Sequence, residues 1–127
     1  MTAVATPGHT RGCTTWTMSA HHGGRRYAVV FVCSTTAPGY ELANNAAYPR
    51  IVDDYRKSFR LLEALPCDVF LGSHGSFFHL QDKIRSLRQG NPLAFVDPQG
   101  YRAFLAESRE AFEARLRAQL AARPASP

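Results

Sequence analysis

In the first third of the chain, short β-branched, alternating and continuous apolar runs broken by turn residues mark strands rather than helices. Thr2 to Thr6 is short and partly β-branched and ends at Pro7, which predicts a strand delivering His9 into a loop. Thr14 to Ser19 alternates with Trp16 and Met18 on one face. His21-His22-Gly23-Gly24 reads as a hairpin turn, and the valine- and aromatic-rich run Arg26 to Cys33 as a buried strand. Ser34 to Ala47 holds Pro38, Gly39 and two asparagines and reads as a long loop. The period then changes. Ile51, Val52, Tyr55, Phe59 and Leu62 recur at helical spacing, with Asp53, Arg56, Lys57 and Arg60 opposite, until Pro66 ends the helix. Asp68 to Leu71 is a short buried strand running into Gly72-Ser73-His74-Gly75. A second helix is expected over Leu80 to Arg88, stopping at Gly90-Asn91-Pro92. A third starts near Asp97-Pro98, where aspartate caps and proline suits the first turn. Tyr101, Leu105, Phe112, Leu116 and Leu120 line its apolar side, and Pro124 closes it ahead of a fraying tail over 123–127. Strands mixed with helices predict an α/β chain.

Composition narrows this little. With 127 residues, 45% of them hydrophobic and 20% charged, the chain is one domain's worth or part of a larger one. A chain of this length buries roughly two-thirds of its unfolded surface. Its net charge of +5 is spread without a basic stripe interleaved with aromatics, so no nucleic-acid partner is expected. No apolar run approaches about 18 residues, so no membrane span is expected. An export signal is not read in the chain either. The three cysteines, Cys13, Cys33 and Cys67, form no C-x-x-C pair, which argues against a zinc knuckle and leaves one disulfide open. Cys33, in a valine-rich strand, reads as a buried, unreactive thiol.

Two of the five histidines share a local grammar. His9 follows a strand in Pro-Gly-His-Thr, and His74 follows a strand in Gly-Ser-His-Gly. Glycine beside each lets backbone and ligand approach closely. Neutral imidazole is a common zinc ligand, so both are candidate metal ligands. A lone histidine near glycine is more often structural, and the pair carries more weight than either member. His21 and His22 read as solvated, and His79 as a capping or surface residue.

The blocks Ala5 to Trp16 (ATPGHTRGCTTW), Cys33 to Leu42 (CSTTAPGYEL), Ile51 to Phe59 (IVDDYRKSF) and Leu65 to Phe78 (LPCDVFLGSHGSFF) together resemble a known family. That family is the metallo-β-lactamases, in the third subclass of the class B enzymes. The blocks fall in family order along nearly the whole chain, which would make it, over residues 1–122, the C-terminal half of such a domain.

The resemblance implies an αββα sandwich, of which this half is a mixed sheet with helices on its outer face. It implies two zinc ions in the full-length enzyme, most of their ligands coming from an H-x-H-x-D-H motif absent here. His9 would be the third ligand of the first zinc and His74 a ligand of the second, so weak or partial zinc binding is expected of the chain alone. The reaction implied is hydrolysis of the β-lactam amide by a metal-bound hydroxide, hence antibiotic resistance, with no protein nucleophile. Ser34 and Thr36 fall where family hydroxyls contact the substrate, Thr36 replacing the commoner serine; equally, both could satisfy loop backbone. Cys67 matches a family cysteine whose partner at the last helix is missing here. A β-lactam antibiotic is the implied substrate, the periplasm or exterior the implied location, and a missing N-terminal half or a second copy the implied partner. The competing readings are a hydrolase of another ester, lactone or thioester, and a non-catalytic half-domain that self-associates through strand faces built from Trp16, Met18, Val30, Val32, Val69 and Leu71.

Overall fold

A computed structural model describes residues 1–123; Pro124, expected to close the last helix, and residues 125–127 of the tail lie outside the described residues. Four strands, β1 (Thr2–Ala5), β2 (Thr14–His22), β3 (Arg25–Val32) and β4 (Val69–Gly72), form one sheet in the order β1-β2-β3-β4. The first three pair antiparallel and β4 joins β3 in parallel, so the sheet is mixed. The parallel pair requires a crossover. It is made by the long loop after β3 and by α1 (Ile51–Ala64), which stops just short of Pro66. A one-turn 3₁₀ segment over Gly75–Phe78 leads into α2 (Leu80–Arg88), and α3 (Pro98–Ala121) runs back along α1.

The predicted cap of α3 is present: Asp97 Oδ1 accepts the Gly100 N–H at 2.9 Å, with Pro98 in the first turn. Two buried clusters hold the layers together. Val30, Val32 and Phe70 of the sheet pack on Leu62, Phe78, Tyr101 and Leu105. Ile51, Tyr55 and Phe59 of α1 pack on Phe112 and Leu116 of α3 and on Leu42 of the loop. Outside this seam, Arg56 grips Glu113 through two hydrogen bonds of 2.9 Å, and Arg109 grips Glu63. Those pairs fix the angle of α1 against α3 more than they add stability, being partly exposed.

Four sequence expectations are corrected. The turn between β2 and β3 is only Gly23-Gly24, both at positive φ (57° and 76°), as a two-residue hairpin turn requires. His21 and His22 therefore belong to β2 and, being adjacent strand residues, face opposite sides of the sheet. Leu120, expected on the apolar side of α3, is 49% exposed because the seam with α1 ends at Leu116. The third correction concerns the sheet faces. Trp16 pairs with Phe31 and Met18 with Val29, so the face carrying Trp16 and Met18 carries the odd-numbered residues of β3. Val30 and Val32 lie on the other face, fully buried against the helices. Lastly, Cys33 is not a free thiol: it is bonded to Cys13, with Cα atoms 5.8 Å apart. Cys67 is free, and burial raises its thiol pKa to about 12.

Candidate functional site

Strand directions decide where the chemistry collects. Since β1, β3 and β4 all run the same way, their C-terminal ends share one rim of the sheet. The His9 loop leaves β1 there, Ser34 to Thr36 leave β3, and Ser73-His74 leave β4. Loops on such a rim are where a rigid sheet can position reactive groups. The Cys13–Cys33 bond ties the start of β2 to the end of β3 on this same rim.

His9 is held from several sides. Its Nδ1 lies 2.8 Å from the Thr36 carbonyl oxygen, an acceptor only, so Nδ1 carries the proton and donates it. The Nε2 lone pair is thereby left for a ligand, which is the arrangement seen in metal-binding imidazoles. Tyr40 stacks on the ring at 5.7 Å and donates its hydroxyl to the His9 carbonyl at 3.0 Å. Arg11, two residues on, lies over the Tyr48 ring at 4.7 Å and donates to the Ala47 carbonyl. Beneath the loop, Ser58 donates to the Pro7 carbonyl at 2.6 Å, and the Tyr55 ring lies against Gly8. A Cβ on Gly8 would come within 2.8 Å of that ring, and its φ of 146° already disfavours any side chain.

His74 sits in extended backbone, exposed, with its ring edge-on to Phe77 at 5.0 Å. The turn that carries it is fastened to the end of β3: the Ser73 N–H donates to the Val32 carbonyl at 3.1 Å and the Ser73 hydroxyl to the Cys33 carbonyl. Gly75 is a close approach as well, since a Cβ there would sit 2.9 Å from Leu80.

Ser34 is buried and accepts the Thr36 N–H at 3.3 Å, while the two hydroxyls are 3.1 Å apart. Thr36 is exposed, its hydroxyl 3.3 Å from His9 Nδ1. The structure thus brings Thr36 directly to His9, with Ser34 behind Thr36, and sets His74 on the same rim, two strands from β2 and next to the end of β3. His21 and His22, at the far end of the β2–β3 hairpin, and His79, in left-handed backbone ahead of α2, take no part in it. No group of three or more His, Cys, Asp or Glu among the described residues could hold a metal ion. Zinc sites are almost always four-coordinate, so His9 fits as a ligand in its chemistry while the chain's donors do not complete a site.

No family model matches the chain. Solved structures do. The FEZ-1 metallo-β-lactamase from Legionella gormanii is 44% identical, with a TM-score of 0.90 over 93% of this chain and 45% of its own. A metallo-β-lactamase from Cronobacter sakazakii is 41% identical, with a TM-score of 0.88 over 94% of this chain and 45% of its own. The subclass B3 metallo-β-lactamase BJP-1 of Bradyrhizobium japonicum is 37% identical, with a TM-score of 0.88 over 95% and 46%. This chain carries the C-terminal part of the subclass B3 metallo-β-lactamase fold. It spans a little under half the length of the metallo-β-lactamases it matches. Sequence reasoning placed His9 and His74 just after strands, and the structure sets both on the rim. It missed the roles of Tyr55, which sits in a helical stripe that reads as core, and of Ser58, one turn on, as well as the Cys13–Cys33 bond.

Proposed function

We propose that this chain supplies the C-terminal share of a zinc-dependent metallo-β-lactamase site, with His9 and His74 as ligands of different zinc ions. The observation that carries the reading is His9: its proton is committed to the Thr36 carbonyl and its Nε2 is left free, in a chain 44% identical to a metallo-β-lactamase. Zinc, when bound, lowers the pKa of a water to near neutrality and so supplies hydroxide for amide hydrolysis. This chain's own part is to orient two imidazoles and to offer the Thr36 hydroxyl, with Ser34 behind it, to the substrate. The remaining ligands, of the H-x-H-x-D-H kind, come from outside these residues. The Cys13–Cys33 bond favours an oxidising location, periplasmic or extracellular.

A specific observation favours a second role. Trp16, Met18 and Phe31 are 43%, 49% and 42% exposed on one sheet face, which suits association with an N-terminal half or with a second copy.

Calorimetric zinc titration tests the first reading. The 127-residue chain should bind more weakly than about 1 μM, short of complete protein zinc sites, and His9→Ala and His74→Ala should each reduce the heat further. Hydrolysis of a chromogenic cephalosporin should stay at background until a half bearing H-x-H-x-D-H is added. Tight zinc binding that survives both substitutions would place the metal elsewhere.

A further inference from the structure

Both segments that shape His9 converge on one side chain of α1. Tyr55 is 2% exposed, packed against Phe112 at 4.8 Å and Phe59 at 6.4 Å, so its ring cannot swing away. From that fixed position its hydroxyl donates to the Thr36 carbonyl at 2.6 Å, the same oxygen that takes the His9 Nδ1–H at 2.8 Å. Its ring face also forms the floor under Gly8, the residue before His9. A carbonyl oxygen has two lone pairs, and here each has a donor. Without the phenol, the Thr36 carbonyl would be held by His9 alone, in a loop that belongs to no strand or helix. With the phenol, the carbonyl is aimed before His9 arrives.

We propose that Tyr55 is a positioning residue for the candidate metal ligand His9, fixing both its tautomer and its placement through the Thr36 carbonyl and Gly8. Tyr55 touches no reacting atom. Ser58, one helical turn further on, also holds the loop, through the Pro7 carbonyl, but has no link to the Thr36 oxygen. The two side chains of α1 therefore separate aiming the imidazole from merely anchoring the loop.

This deepens the zinc reading above, yet its test needs no metal. Nitrogen-15 NMR of the imidazoles in the zinc-free chain, above the pH at which His9 is protonated, reports which ring nitrogen bears the proton. In the unaltered chain His9 should be mainly Nδ1–H. Tyr55→Phe keeps the ring and its packing but frees the Thr36 carbonyl to turn from His9, and should lower the Nδ1–H to Nε2–H ratio by up to about fivefold, the worth of the His9–Thr36 hydrogen bond. Ser58→Ala should leave that ratio unchanged. An equal shift in both variants, or none in Tyr55→Phe, would overturn the proposal. So would finding His9 as Nε2–H in the unaltered chain, a result that needs no variant to fold. A chain that binds no zinc at all could still pass, and one that serves a working lactamase could still fail, so the two readings fall separately.

Discussion

Lys83 and Asp97 show how single side chains set the frame behind the rim. Lys83 is 7% exposed, with its ammonium 3.0 Å from Asp97 Oδ2 and above the Phe70 and Phe78 rings at 5.8 and 5.6 Å. Burial alone would raise the Asp97 carboxyl, but the Lys83 ammonium and the Gly100 N–H outweigh it and hold the group below the usual carboxylate range. A lowered folded pKa means stability that is whole above the unfolded value of about 3.9 and is lost as pH falls through the folded one. The advantage of the unaltered chain over Asp97→Asn should therefore be full above about pH 5 and fade on acidification, as urea melts across pH would record. An undiminished gap at pH 2 would refute that account. At this scale the sequence was readable where a residue's role is local. Asp97 before Pro98 announces a cap, and His9 and His74 announce themselves by following strands. Thr36 did not announce its carbonyl's role, because its partners stand 27 and 19 residues away in the chain. Tyr55 and Lys83 hid for a similar reason: one fits an apolar stripe, and the other a solvated face, until the fold buries it.

Among elements, the hairpin β2–β3 carries the most information. Its strands were legible, β2 from alternation and β3 from its run of valines and aromatics, and α2 from Leu80 to Arg88 and the cap of α3 fell where expected. The pairing between strands was not, because it depends on the length of a turn. Two glycines at positive φ make His22 face Arg25, so even positions of β2 meet odd positions of β3. One residue more would have put Val30 and Val32 beside Trp16, as the sequence reading expected. At the other end of the hairpin the Cys13–Cys33 bond closes a loop with a separation of 20 residues. On chain-entropy grounds, replacing both cysteines by alanine should cost about 3 kcal/mol, measured by guanidinium unfolding without reductant. A loss below about 1 kcal/mol would mean that the hairpin's own ladder already does that work.

For the whole molecule, one sheet face is covered by helices and the other is bare at Trp16, Met18 and Phe31. Light scattering of the 127-residue chain should show mass rising with concentration towards a dimer, and Phe31→Ser should shift it back to monomer. A compact monomer that persists at high concentration would sink the idea that this face seeks a partner. The common direction of β1, β3 and β4 has a consequence for handling the protein. The eight residues of β3 span roughly 25 Å, which separates Gly23-Gly24 from the loops that hold His9 and His74. One end of the sheet does the aiming and the other is idle. A dye, an affinity tag or a surface linkage grafted at Gly23-Gly24 would dangle from the idle end, so the protein can be tethered there with His9 and His74 facing outward into solution.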